Sequence, residues 1–146
     1  MNDFMQPDHL ATARRVTLLT GRALLGLYFI VPGLTKITGW AATSAYMEQH
    51  GVPLTSVLLA LTIVLQVGGG ACLALGYRAG LMAFLLAGLT LVISLYMHDF
   101  WNSYEGGDSA HEMQNFIKNL GIMAGLLYVA GSAPANGSRE SREPAR

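Results

Sequence analysis

The chain has 146 residues, of which 52% are hydrophobic and only 12% are charged, against roughly a quarter charged in an ordinary soluble domain. Nine Lys and Arg balance nine Asp and Glu, which excludes a basic nucleic-acid binder and also an apolar-poor, charge-rich disordered chain. The single cysteine, Cys72, cannot form an intrachain disulfide, and no Cys/His spacing of a zinc site is present.

Residues 1–15 form a polar segment ending in Arg14 and Arg15. The first long apolar stretch, 16–34, contains Arg22. Small residues follow it, as they follow a secretory signal, but it exceeds the roughly 7–15 apolar residues of such a signal and reads as a retained membrane span. Residues 39–50 then predict a short amphipathic helix with Ala41, Ala45 and Tyr46 on one side, ended by the Gly51-Val-Pro53-Leu54 break. The second span, 54–76, has Gln66 as its only strongly polar side chain. Between Gln49 and His98 the one charged residue is Arg78, so this region has no polar face to offer water. Gly76-Tyr-Arg-Ala-Gly80 predicts a tight turn into the third span, 79–97. A polar loop over 101–113, with Gly106 and Gly107, reads as mobile. The fourth span, 116–133, carries Lys118 and Asn119 near its start, and 134–146 reads as a disordered tail. The fold class expected is therefore all-α: one integral membrane four-helix bundle over 16–133, each span close to the roughly 20 residues a bilayer needs.

Orientation follows from Lys and Arg. With both termini in the cytoplasm, the inner segments carry Arg14, Arg15, Arg78, Arg139, Arg142 and Arg146, and the outer loops carry Lys36 and Lys118. That asymmetry obeys the positive-inside rule. Trp40, Tyr46, Phe100, Trp101 and Tyr104 gather at the outer boundary, as interfacial aromatics do.

Polar residues at membrane depth are the candidate site residues. At 1.5 Å rise per residue, Arg22 and Gln66 fall at similar levels in the inner half of the bilayer, which offers Arg22 the Gln66 amide, or carbonyls exposed near Pro32 or the glycines, as acceptors. The alternative is that Arg22 snorkels to the headgroups. At the outer end lie Lys36, Glu48, His50, His98, Asp99, Asn115, Lys118 and Asn119. Asn115, Lys118 and Asn119 share one helix face, and Asp99 is a natural ion-pair partner for Lys36 or Lys118. These residues form either a polar mouth for a quinone head group, a proton or a small anion, or a set of interfacial anchors. His98 beside Asp99 offers a proton carrier next to a carboxylate, which makes the two the catalytic candidates. His50, Glu48, His111 and Glu112 lack the tight spacing of a metal site, so no metal is assigned. Cys72 and the methionines read as packing residues, and Gly68-Gly69-Gly70-Ala71 and the Gly121/Gly125 pair as close-approach faces between helices.

The run Gly21-Arg22 through Gly33-Leu-Thr-Lys36 resembles the opening of DoxX-type membrane proteins. Tyr46-Met-Glu-Gln-His50-Gly-Val-Pro53, the Gly68-Gly69 patch, His98-Asp99-Phe100-Trp101 and Phe116-Ile-Lys118-Asn119-Leu-Gly121 resemble further segments of that family in the same order. One departure is Gln66, where the family commonly has Glu. The resemblance implies a four-helix protein of the bacterial inner (plasma) membrane, linked in some members to thiosulfate:quinone oxidoreduction and in others to assemblies handling thiol or oxidative stress. It implies a small membrane redox subunit contacting quinone or a partner oxidoreductase through Arg22, Lys36, His98, Asp99 and Lys118. The sequence itself carries no cofactor signature. A non-catalytic accessory subunit of a larger complex, homo-oligomeric or with other membrane proteins, is the second reading, and a small-molecule transporter the third.

Overall fold

In a computed structural model, residues 7–102, 104 and 107–132 are described, and every regular element among them is helical. The expected disorder of 134–146 lies outside the described residues, as does part of the loop read as mobile. Helix α1 (Pro7–Thr38) is followed by α2 (Trp40–Gln49), α3 (Thr55–Val64), a π turn (Leu65–Gly69), α4 (Gly70–Leu75), α5 (Ala79–Met97) and α6 (Ser109–Ser132). Three helical stretches are long and apolar enough to cross a membrane: His9–Thr38, Thr55–Leu75 and Ala79–Met97.

The packing is that of a chain dissolved in lipid. On α5 the buried positions are small or polar (Ala83, Ala87, Thr90, Ser94) apart from Leu86, whereas Leu81, Phe84, Leu91, Val92, Leu95 and Tyr96 face outward. Lipid tails are as apolar as leucine, so burying large apolar residues gains little there and helices associate through small faces instead. Thr90 and Ser94 close their hydroxyls onto the helix itself, donating to the carbonyls of Leu86 and Thr90 at 2.7 Å each.

The register between α1 and α4 is set by two glycines. A Cβ on Gly26 would lie 2.6 Å from the Gly70 carbonyl oxygen, and one on Gly70 would lie 2.8 Å from the Gly26 oxygen. Seven residues further along α1, Gly33 sits against Val67 and Gln66. The Gly121/Gly125 pair does not serve this purpose among the described residues, where neither has a neighbour within 4 Å of an added Cβ. A core of Phe29, Leu73, Ala83, Leu86, Ala87 and Leu126 joins α1, α4, α5 and α6.

The connections follow from local chemistry. After α4, Gly76 adopts φ 81°, Tyr77 N–H donates to the Cys72 carbonyl at 2.8 Å and Gly76 N–H to Leu73 at 3.1 Å, which is a Schellman ending. Asp108 caps α6 by accepting from the N–H groups of Ala110 and His111. That cap starts α6 seven residues before the expected 116, and α1 likewise begins well before 16, because helix continues beyond the apolar stretch. Pro53 falls in the turn before α3. Helix α2 forms as expected, but Ala41 and Ala45 are exposed, whereas Tyr46 and buried Met47 turn toward the bundle and His50 is set inward just beyond the helix end.

Candidate functional site

A cavity of about 520 Å³ opens between α1, α2, α3, the π turn, α5 and α6, a size usual for small-molecule pockets. Phe29, Leu59, Ile93 and Met97 give it apolar walls. Its polar groups arrive on defined helical faces. On α1, Tyr28, Pro32, Thr35 and Lys36 line it at i, i+4, i+7 and i+8. The Pro32 carbonyl accepts from Thr35 Oγ1 at 3.0 Å and from Lys36 Nζ at 3.4 Å, so Lys36 folds back along its own helix. From α6, Asn119 accepts from Tyr28 Oη at 3.2 Å and donates through Nδ2 to Ser94 Oγ at 3.1 Å. Tyr28, Asn119, Ser94 and Thr90 thus form one satisfied hydrogen-bond chain across three helices.

Gln66 differs. It is 4% exposed, lines the cavity from the π turn, and its Oε1 has no hydrogen-bond partner among the described residues. A wide π turn displaces the helix face by the extra residue it accommodates, and such turns recur at functional sites. An unpaired buried amide oxygen costs about 1–3 kcal/mol, so a ligand that donates a hydrogen bond there recovers energy the folded chain has already forgone.

The rim is a second network. His98 Nδ1 donates to Glu112 Oε2 at 2.6 Å, and Tyr46 Oη donates to Glu112 Oε1 at 3.2 Å. His50 Nδ1 donates to the Tyr46 carbonyl at 2.9 Å, which directs Nε2 toward Asp99 Oδ1, 3.8 Å away. Asp99 Oδ2 accepts from both Asn102 and Tyr104 at 2.6 Å, while Oδ1 has no hydrogen-bond partner. Burial pushes the Asp99 carboxyl up, but the bonds from Tyr104 and Asn102 outweigh it and hold its pKa below the usual value. Burial, followed by the Glu112 charge, pushes the Tyr46 hydroxyl up to about 12. The His50 ring packs between those of Tyr46 (4.3 Å) and Tyr104 (4.2 Å). The rim therefore joins two imidazoles and two carboxylates, groups able to pass a proton.

The sequence profile of the DoxX family matches residues 17–99, which spans α5 and both residues of the His98-Asp99 pair. The chain belongs to the DoxX family. Two Escherichia coli (strain K12) proteins resemble it over most of their length. Inner membrane protein YqjF is 39% identical over 119 residues, 82% of this chain and 85% of that protein. Inner membrane protein YphA is 30% identical over 130 residues, 89% and 92% of the two chains. No solved structure matches.

In this DoxX chain, Lys36, Gln66, His98, Lys118 and Asn119 line one cavity, and Asp99 and His50 meet at its rim. Three expectations are corrected. Arg22 does not pair with Gln66: its guanidinium lies against Gly76 at the opposite end, and Arg22 Nε is without a partner, as is Gln66 Oε1. Asp99 does not pair with Lys36 or Lys118, because α2 brings His50 to it, and Lys118 Nζ bonds Asn115 Oδ1 at 2.8 Å. Glu48 lies exposed on α2, away from the cavity. Among the described residues no three His, Cys, Asp or Glu side chains converge as metal ligands. Tyr28, Thr90, Ser94, Asn102 and Glu112 join these networks without having been candidates. The spacing of Thr90 and Ser94 at i, i+4 on an apolar helix was the available signal, as was that of Glu112, Asn115 and Asn119 at i, i+3 and i+7.

Proposed function

We propose that this DoxX chain is a small inner-membrane subunit that holds the ring of a quinone or quinol in the cavity between α1 and α6, with electrons exchanged by a partner oxidoreductase. The supporting observation is the buried, unpartnered Gln66 Oε1 in an apolar-walled cavity that also contains Lys36 and Lys118. The residues fit such a ring: the ammonium groups donate to carbonyl oxygens, Gln66 accepts from a hydroxyl, and Phe29, Leu59 and Ile93 pack its faces. A bound quinone supplies two-electron, two-proton chemistry. The chain's part is to orient the ring, exclude water and move protons at His98 and Glu112, whose 2.6 Å contact borders the cavity. A neutral Gln66 accepts a hydrogen bond but cannot itself take the proton, which leaves that work to the rim.

The reading includes α6 as a fourth crossing helix and both termini on the cytoplasmic side. The packing of α6 along α5 and the grouping of Arg14, Arg15, Arg22 and Arg78 at one end support it. An accessory role in a larger complex is the alternative, favoured by the open space beside Gly121 and Gly125 on α6.

Titration of the purified protein in detergent with a short-chain ubiquinone, followed by quenching of Trp and Tyr emission, tests the proposal. Gln66→Leu and Lys118→Ala each weaken binding by about three- to tenfold, the worth of one hydrogen bond. Unchanged affinity in both folded variants removes the cavity as a quinone site. Retention of partner polypeptides in mild detergent without any quinone binding selects the accessory reading.

A further inference from the structure

A second cavity, of about 1020 Å³, lies at the opposite end of the bundle between α1, the Gly76–Gly80 turn and the end of α6. The core containing Phe29 and Leu126 separates the two. Three of its lining residues are arginines: Arg14 and Arg22 on α1, and Arg78 at the start of α5. No ion pair to any of them forms among the described residues.

Two observations point to an anion. Arg22 is folded over Gly76, where a Cβ would lie 2.7 Å from Nη1, and its Nε is buried without a hydrogen-bond partner among the described residues. A guanidinium held in this way has donors in a fixed fork and no acceptor for them. Independently, Ala79, Gly80 and Leu81 line the same cavity and are the first three residues of α5. The helix bonds begin only with Met82 N–H donating to the Arg78 carbonyl at 3.0 Å, and no side chain caps this terminus. The helix terminus that carries these free N–H groups therefore borders the same space as the arginines, and helix N-termini bind phosphate oxygens. Leu18, Leu25 and Tyr128 give the wall an apolar stretch beside Thr17 and Ser132.

We propose that this cavity binds the phosphate of an anionic phospholipid: half-buried Arg22 is the innermost donor, Arg14 and Arg78 close over the headgroup, and the acyl chains run along the apolar side chains of the wall. A zwitterionic headgroup would bring its ammonium against three arginines. A soluble phosphate shares the recognition chemistry but leaves the apolar wall unused.

The test is native mass spectrometry of the full chain in a non-ionic detergent, titrated separately with dioctanoyl phosphatidylglycerol, dioctanoyl phosphatidylcholine and inorganic phosphate. Phosphatidylglycerol binds at least tenfold more tightly than phosphatidylcholine, and inorganic phosphate does not displace it at equal concentration. Arg22→Gln and Arg78→Gln each reduce phosphatidylglycerol affinity about fivefold. Arg22→Lys restores part of the loss, and Arg15→Gln, beside the cavity but outside its lining, leaves affinity unchanged. Exposed Arg78 keeps the test valid if Arg22→Gln fails to fold. Equal binding of the two lipids overturns the proposal, as does a loss in Arg15→Gln equal to that in Arg78→Gln, which would mark bulk charge alone. Displacement by inorganic phosphate at equal concentration overturns the lipid assignment in favour of a soluble anion.

Discussion

Gly26→Ala tests whether close approach of α1 and α4 holds the bundle together. The new Cβ would lie 2.6 Å from a backbone oxygen and 2.7 Å from Ala74 Cβ, and ordinary contact begins at 3.4 Å, so the helices must part by about 0.8 Å. Neither neighbour is the mobile end of a side chain, so the strain cannot be relieved by a rotamer change. Overpacking of this kind costs about 1–3 kcal/mol. Tyr28, two residues along α1, shares the displacement, which strains its 3.2 Å bond to Asn119 in the outer cavity. Gly121→Ala is the internal control: with nothing within 4 Å, it gains about 0.5–1 kcal/mol of helix stability. Unfolding in mixed micelles by titration with a denaturing detergent, followed by circular dichroism, compares the two. A Gly26→Ala protein as stable as wild type, or a Gly121→Ala protein destabilised to the same degree, would refute the argument from close approach.

A double-mutant cycle on Arg22→Gln and Gln66→Leu should show additivity within about 0.3–0.5 kcal/mol, as for separated sites without shared partners; a coupling above 1 kcal/mol would place the two in contact. Acid should unfold the protein partly through Asp99. Its folded-state pKa lies below the unfolded value, so its contribution to stability is present above about pH 4 and is lost as pH falls further. Unfolding midpoints between pH 7 and pH 3 should fall more steeply for wild type than for Asp99→Asn, and parallel declines would reject the role given to the Tyr104 and Asn102 bonds.

The parts of the fold legible in the sequence were those fixed by hydrophobicity and punctuation. Residues 79–97 form α5 end for end, and 54–76 differs by one residue at each side from the helical stretch Thr55–Leu75, because Pro53, Gly76 and Arg78 break the chain where the apolar run breaks. Apolar length, which marks lipid contact, sets the expected span at 116–133, whereas Asp108 decides that the helix itself begins at Ser109. The Arg22–Gln66 pairing failed for a different reason. Rise per residue measures distance along one helix, but the level of one helix against another is set by the Gly26–Gly70 contact, which puts Arg22 beside Gly76. Lys36, His98, Lys118 and Asn119 do converge on one cavity, since helix ends bring them to one level, whereas Glu48 points away. Which of them bond was not legible: opposite charge suggested lysine partners for Asp99, and the return of α2 supplied His50, with Tyr104 from the following loop. Tyr28, Thr90 and Ser94 escaped notice because a hydroxyl in an apolar helix satisfies itself on a carbonyl as readily as it reaches a neighbour.

The π turn at Leu65–Gly69 gives the chain a rotational offset within a single rod. Each residue of an α-helix advances about 100° around the axis, so deleting Val67 or Gly68 would restore regular winding and swing everything downstream by that angle relative to everything upstream. Gln66 and Gly70 would then no longer address the cavity and α1 at once. Length in this segment is therefore under tighter constraint than residue identity: loss of Gly68, which removes no side chain, would still disassemble both ends of the molecule together.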